Sequence, residues 1–499
     1  MKIFSAKQIR AWDQFTISEQ QITSASLMER AALACYTWLL NHDMTNRPIM
    51  VFCGKGNNGG DGLALVRILL NNNIPATAYI LETGKPGTED FQNNLQQLHH
   101  ISTDIHFLQS DNFFPFIKTD SLVIDALFGT GLNKPLNGIA RQLAIHINHS
   151  GATVISIDVP SGMFIDKSTR AHTAIQATHT LAFQQVKLAF MMPENYRYTG
   201  EFHLLPIGLS EKFETMERSR YELVNPELIR QISRPISKFA HKGERGHAAM
   251  VGGSFGMMGA AVLAAKGCLH SGVGKLTCHT PDCGYQVMQV SVPEAMCKIT
   301  GEHFPGTFEH SDRYSGIGMG PGIGTNKKTK QLLMEILTTV TVPMVLDADA
   351  LNLLAADSQL LHMLPAGTII TPHIGEFERL FGPAADDFER LETAIEKAAT
   401  QQIYIILKGH YTAVITPGKM VYFNTTGNAG MAKAGMGDVL TGIITGLISQ
   451  RYSLPEAALL GVYLHGLAGD IAAAKYSQQA MQASQLADSI QDAWKAISA

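Results

Sequence analysis

Ile49-Met50-Val51-Phe52-Cys53-Gly54-Lys55-Gly56-Asn57-Asn58-Gly59-Gly60-Asp61-Gly62-Leu63-Ala64-Leu65-Val66-Arg67-Ile68-Leu69-Leu70 decides the fold class. Five apolar residues in a row fit a strand buried on both faces, Gly54 to Gly62 a polar loop, and Leu63 to Leu70 a helix. Short apolar runs recur at Ala76-Leu81, Leu122-Ala126 and Val154-Asp158, separated by helix-length segments such as 141–149. Strands alternating with helices predict a parallel sheet covered on both faces. Before this series, the stretch from Ser5 to about His42 repeats apolar residues at helical spacing, with Met28, Ala31, Ala32, Cys35 and Leu39 able to share a face.

After Pro206-Ile207-Gly208-Leu209 the chain becomes charged and irregular up to Arg234-Pro235, through Glu211-Lys212-Phe213-Glu214 and Met216-Glu217-Arg218, which marks a domain boundary. A second series follows: strand 247–251, a glycine turn, helix 260–270, strand 274–278, further strands near Ile317 and at 344–346, 368–370 and 403–407, then helices from Leu440 onward. Two α/β domains are expected, 1–215 and 225–499, consistent with a length beyond what one hydrophobic core serves.

A formal charge of −4 with 16% charged residues leaves no basic surplus for nucleic acid and no polybasic membrane patch. Small-molecule partners and a homo-oligomer are expected, with no nucleic acid and no membrane. Charges at Lys2, Lys7 and Arg10 interrupt any apolar leader, so a cytoplasmic location is expected. Six cysteines form no CxxC pair, and no His/Cys cluster suggests a transition metal.

The chemistry-bearing motifs sit where strands end. Gly54 to Gly62 lacks the Lys-Ser/Thr of a Walker loop and fits GxGxxG poorly, yet backbone amides and Asn side chains suit a phosphate. Asp125 and Asp158 follow two further strands, and carboxylates on neighbouring strand ends share a cleft. Asp125, Asn58 and Ser161 offer oxygen ligands to a hard cation. Asp158 is the candidate for proton chemistry. Lys187 is a weaker partner whose competing reading is a structural or surface-exposed place. In the second half, Gly252-Gly253-Ser254, Gly318 to Gly324, Asp347-Ala348-Asp349-Ala350-Leu351-Asn352 and Thr371-Pro372-His373-Ile374-Gly375-Glu376 crowd strand ends. His373 also fits a loop residue bonded to backbone. Lys408-Gly409-His410-Tyr411-Thr412 links two strand-like runs and suits a nucleotide, with a plain hairpin as rival.

Gly430-Met431-Ala432-Lys433-Ala434-Gly435-Met436-Gly437-Asp438 then runs into the apolar helix pattern Val439-Leu440-Thr441-Gly442-Ile443-Ile444. Glycines and a helix start make an anion hole, and Asp438 is the candidate base for an acceptor hydroxyl in phosphoryl transfer. The competing reading is an Asp that merely caps the helix.

With these residues assembled, nearly the whole chain resembles the bifunctional NAD(P)H-hydrate repair enzymes. Asn57-Asn58-Gly59-Gly60-Asp61-Gly62, Asp125 to Leu132, and Asp158-Val159-Pro160-Ser161-Gly162 are similar to NAD(P)HX epimerases. Gly320-Pro321-Gly322, Asp347 to Asn352, His373, Lys408-Gly409 and Gly437-Asp438 resemble ribokinase-like ADP/ATP-dependent NAD(P)HX dehydratases. The resemblance implies a Rossmann-like three-layer sandwich followed by a ribokinase-like three-layer sandwich. It also implies hydrate contacts by Asn57, Asn58, Gly59, Gly60, Asp61, Gly129, Thr130, Gly131, Leu132, Asn133, Lys134, Pro135 and Asp158, and potassium at Asn58, Asp125 and Ser161. In the second domain it implies hydrate contacts by Gly322, His373 and Asp438, nucleotide contacts by Lys408, Gly409, His410, Tyr411, Thr412 and Gly437, ADP as co-substrate and Mg²⁺. Asp438 and Asp158 would be catalytic.

The chain departs from that pattern at Lys433-Ala434, where the family usually has Ser or Thr and then Gly, and at Ile374, where it has Pro. An alanine at a position needing positive φ would reshape the anion hole, whereas Lys433 would add a phosphate contact. Two other functions compete: a kinase for a vitamin or sugar alcohol fused to a nucleotide-binding module, and a non-catalytic interaction protein.

Overall fold

The structure, a computed structural model, describes residues 1–309 and 312–498, so the last residue of the expected second domain lies outside the described residues. The chain forms two compact units, one of Lys2–Ser219 with Asp386–Phe388, the other of Met1, Arg220–Ala385 and the chain from Glu389 onward.

In the first unit a seven-stranded sheet runs in the order Ile105–Leu108, Ala76–Leu81, Ile49–Cys53, Leu122–Ala126, Thr153–Ile157, His179–Phe183, Glu201–Leu205. Every neighbouring pair is parallel. Ile49–Cys53 is buried at all five positions, as a central strand covered on both faces must be. The expected loop at Gly54–Gly62 is corrected: the helix spans Asn57–Asn71, so Asn57 to Gly62 form its opening turns. Glycine is required because the helix lies so close to the strand ends. A Cβ on Gly59 would stand 1.6 Å from the Gly54 carbonyl oxygen, and one on Gly62 2.6 Å from the Ala126 Cβ. The opening helical stretch is two helices, Ala6–Gln20 and Ser24–Asn41, split where Gln21 adopts φ 51° and Thr23 caps the second by accepting the Ser26 N–H. Met28, Ala31, Ala32, Cys35 and Leu39 are all buried on the second helix.

In the second unit the strand order is Tyr221–Leu223, Val421–Phe423, Ala413–Ile415, Tyr404–Leu407, Ile369–Ile370, Met344–Leu346, Gly316–Met319, His247–Val251, Lys275–Thr280, Met296–Ile299. The strands from Tyr404–Leu407 to Met296–Ile299 are parallel, and the turn back to Ala413–Ile415 and Val421–Phe423 is antiparallel. The charged segment after Leu209 is folded rather than irregular: Glu211–Met216 and Pro226–Ile232 are short helices and Tyr221–Leu223 a strand.

The helix expected from Leu440 begins at Met436 and runs to Ser449, with its first residue and everything from Val439 onward buried. It crosses helix Met258–His270 at glycines. A Cβ on Gly442 would meet the Ala264 carbonyl oxygen at 2.0 Å, and one on Gly267 the Val439 carbonyl oxygen at 2.4 Å. Each interior glycine forfeits about 1 kcal/mol of helix propensity, and close backbone packing offsets it. Helix Leu454–Tyr476 is long and apolar enough to span a bilayer, but 67% of its apolar window is buried inside the unit.

Candidate active sites

The carboxyl ends of the first sheet open into a cleft of about 790 Å³ lined by Asn57, Asn58, Asp61, Gly129 to Asn133, Asp158 and Lys187, among others. Of the expected contacts, Gly59 and Gly60 are buried beneath it. Lys134 and Pro135 are exposed and do not line it. Asp158, directly after strand Thr153–Ile157, holds φ 64°, a left-handed conformation that Asp tolerates better than most side chains. Its Oδ1 is 2.7 Å from the Lys187 Nζ, and 1% of that lysine side chain is exposed. The surface reading of Lys187 is therefore corrected: its aliphatic stem is buried, and the ammonium also donates to the Phe183 and Gln185 carbonyls at 3.0 and 3.2 Å.

Two more carboxylates complete this centre. Burial, then repulsion from Asp158 and Asp13, pushes Asp61 well above the ordinary carboxylate range. Burial and Asp158, opposed by Lys187, raise Asp13 to about 7. One positive charge thus faces three acids.

Asp125 lies deeper, fully buried. Its oxygens accept the Leu127 N–H at 3.2 Å and the Ser156 Oγ and Ser161 N–H at 2.8 Å each. Burial raises its pKa against those hydrogen bonds, and among the described residues it forms no ion pair. The Ser161 Oγ and the Phe128 carbonyl oxygen lie 3.1 Å apart beside it, and the Asn58 side chain packs against Gly129. A buried carboxylate with no cationic partner among the described residues, amid neutral oxygens, fits a hard cation.

In the second unit Asp438 lies in the first turn of helix Met436–Ser449, whose N-cap is Gly435 at φ 89° with no side-chain cap. No side chain among the described residues caps the backbone donors of this turn, the arrangement that suits an anion at a helix start. Asp347, 1% exposed, accepts the Lys408 Nζ at 2.9 Å and the Thr441 Oγ1 at 2.6 Å. Lys408 also lies 3.7 Å from the Glu376 Oε2. Burial pulls the ammonium down, but Asp347 and Glu376 outweigh it and hold its pKa above the usual lysine value. Burial and the charge of Asp347, opposed by Lys408, raise Asp438 to about 7. Between Asp347 and Asp349, Ala348 is strained at φ 49°, a conformation that costs on the order of 1–3 kcal/mol and recurs at functional sites.

Several expectations change on this ground. Lys408 pairs with Asp347 and Glu376 in the acidic centre, while Gly409 to Thr412 form the hairpin joining Tyr404–Leu407 to Ala413–Ile415. His373 caps helix Ile374–Phe381, its Nδ1 accepting the Gly375 and Glu376 N–H groups at 3.0 and 3.4 Å, while its half-exposed ring places Nε2 3.5 Å from the Glu376 Oε1. Gly322 is buried at φ 63°. A Cβ on Gly437 would come 3.3 Å from the Lys408 Nζ. Ala434 is not left-handed, that role falling to Gly435. Lys433 makes no phosphate-ready projection: its Nζ donates to the Gln478, Gln479 and Met481 carbonyls at 3.4, 2.6 and 2.8 Å.

Known proteins match this arrangement along its length. The NAD(P)H-hydrate dehydratase family profile covers residues 248–492, and that of the YjeF-related protein N-terminus residues 24–189. A bifunctional NAD(P)H-hydrate repair enzyme of Moorella thermoacetica is 35% identical over 507 residues, 98% of this chain and 96% of its own. The chain belongs to the bifunctional NAD(P)H-hydrate repair enzyme family. The Escherichia coli member is 30% identical over 492 residues, covering 98% of this chain and 93% of its own. A ribokinase-like superfamily protein from Enterococcus faecalis superposes with a TM-score of 0.50 at 25% identity, over 56% of this chain and 98% of that one, and the second unit is ribokinase-like.

Two residues of this repair-enzyme family member escaped the sequence reading. Asp13 sits four residues from both Ile9 and Ile17, all three lining the cleft, so an acid interrupting an apolar helical stripe was the available signal. His465 gave none. Half-buried on helix Leu454–Tyr476, it donates Nε2–H to the Met436 carbonyl at 2.9 Å, and desolvation lowers its pKa to about 4.

Proposed function

We propose that this enzyme repairs hydrated nicotinamide nucleotides, the first unit interconverting the R and S hydrates of NADH and NADPH and the second returning the S form to NAD(P)H. The observation that carries the reading is Asp438, raised to about 7 at an uncapped helix start beside Lys408. A base titrating near neutral pH takes a hydroxyl proton efficiently.

In the second unit Asp438 removes the proton from the hydroxyl on the hydrated ring carbon. That oxygen attacks the terminal phosphorus of ADP as its bond to the AMP oxygen breaks, giving AMP and a phosphorylated hydrate. The ring nitrogen lone pair then expels phosphate, and loss of a proton from the adjacent carbon restores the dihydropyridine. Backbone N–H groups at Met436 to Asp438 hold phosphoryl oxygens. Gly437 lets them close on Lys408, and Gly322 and His373 position the hydrate. Gly409 to Thr412 form the nucleotide wall. Asp347, Asp349 and Glu376 offer hard oxygen ligands for Mg²⁺, which supplies charge neutralisation when bound.

In the first unit Asp158, held by Lys187, exchanges the proton, and Asn57 to Asp61 with Gly129 to Asn133 hold the nucleotide. Asn58, Asp125 and Ser161 hold potassium, which would balance the buried Asp125 charge. Incubation with hydrated NADH and ADP tests the whole reading. Recovery of reduced-nicotinamide absorbance with stoichiometric AMP and phosphate is expected. Accumulation of a stable phosphorylated product, or no NADH with ADP or ATP, overturns it in favour of a small-molecule kinase or a binding protein.

A further inference from the structure

The fold assembles a cluster that the sequence spacing does not announce. Strands His179–Phe183 and Glu201–Leu205 pair in parallel, with His179 opposite Glu201 and Leu181 opposite His203. Cross-strand partners and residues two apart share a face, so His179, Glu201 and His203 stand together at the amino ends of these strands. The cleft of Asp158 lies at the carboxyl ends of the same sheet.

The His179 Nδ1 is 3.2 Å from the His203 Nε2 and 3.8 Å from the Glu201 Oε2. All three ligand atoms fall within 4.8 Å of one another. Two nitrogens at the usual zinc–imidazole bond length, tetrahedrally disposed, stand roughly 3.3 Å apart, so the imidazole pair already has the spacing a metal imposes. Packing fixes their planes: the Trp38 indole lies 5.3 Å from the His179 ring and 4.8 Å from the His203 ring, and stacks on His42 at 3.9 Å. The Trp38 Nε1–H is itself buried without an acceptor among the described residues. Two imidazoles with one carboxylate favour a borderline ion over magnesium or calcium.

We propose that His179, Glu201 and His203 bind a divalent transition-metal ion of the zinc class, with the remaining position left to water. The ion links the edge strand Glu201–Leu205 to its neighbour, at the end of the sheet opposite the Asp158 cleft. Without metal, one imidazole N–H donates to the other.

Zinc chloride titrated into the chelator-stripped full chain, in competition with a chromogenic chelator, tests this. One saturable equivalent is expected. Glu201→Gln and His203→Gln will each weaken it by more than the roughly 10–100-fold that losing an outer-shell partner costs. Glu201 is 71% exposed, so its exchange leaves the fold intact. Cobalt(II) in the site will give the visible absorption of a four-coordinate nitrogen/oxygen ion with no thiolate band, and both variants will keep wild-type epimerase and dehydratase turnover. A wild-type chain that takes up no zinc, a Glu201→Gln chain that binds the same equivalent equally well, or a thiolate band overturns the proposal.

Discussion

The Lys187 ammonium lies 2.7 Å from the Asp158 carboxylate, with 1% of the lysine and 13% of the aspartate side chain exposed. Removing one partner of a buried pair leaves the other uncompensated, and here Asp13 and Asp61 add further negative charge. Lys187→Met will therefore lower the first unit's unfolding free energy by about 3–5 kcal/mol, read from urea midpoints, and will slow equilibration of the two hydrates. A midpoint like that of the wild-type chain removes the pair from this role.

Asp438 carries the pH dependence of dehydration. With a folded pKa of about 7, the free enzyme's kcat/KM will fall as pH drops through 7, because the base must be unprotonated. Stability moves the other way. The unfolded chain releases this proton near the ordinary Asp value of 3.8 and the folded chain retains it to about 7, so folding is penalised progressively across that window and the penalty is full above it. Asp438→Asn will abolish turnover while gaining stability relative to wild type at pH 8, and the gain will disappear near pH 4. An equal stability difference at both pH values contradicts the assignment.

Adjacent residues in the glycine loop will respond oppositely to small changes. Gly435 holds φ 89°, and a Cβ there would approach the Leu263 Cδ1 to 2.6 Å. Gly435→Ala will cost roughly 1–3 kcal/mol and most dehydratase activity. Ala434→Gly, at a position that is not left-handed, will leave kcat and KM for ADP within about twofold, reflecting less than 0.5 kcal/mol. A large gain in activity from that substitution would restore Ala434 as the defect it first resembled.

Strand–helix alternation made the α/β class readable because Ile49–Cys53 and Leu122–Ala126 are apolar throughout, the mark of strands buried on two faces. The strands left unseen carry polar residues that interrupt the apolar run, His179 and Thr180 in His179–Phe183 and Glu201 and His203 in the edge strand Glu201–Leu205. The first turns of Asn57–Asn71 escaped for another reason. Their glycines have poor helix propensity, and only contact with the Gly54 carbonyl and Ala126 makes them helical.

In the sites, residues within contiguous motifs were legible and residues contributed from afar were not. Asp438 follows its own glycine loop, so local pattern was enough to mark it. Lys187 lies 29 positions after Asp158, and a lone lysine has a surface reading until the fold buries its stem. Lys433 shows the converse: a cation next to an anion hole invites a phosphate role, yet three carbonyls beyond helix Leu454–Tyr476 absorb its donors.

The contact of Gly442 with Ala264 and of Gly267 with Val439 leaves no methyl-sized gap beneath the helix that bears Asp438. The floor under that acid is therefore closed to incremental tinkering. Adaptation toward another acceptor alcohol must proceed through the rim, where Gly409 meets open space, while the lower storey stays as it is.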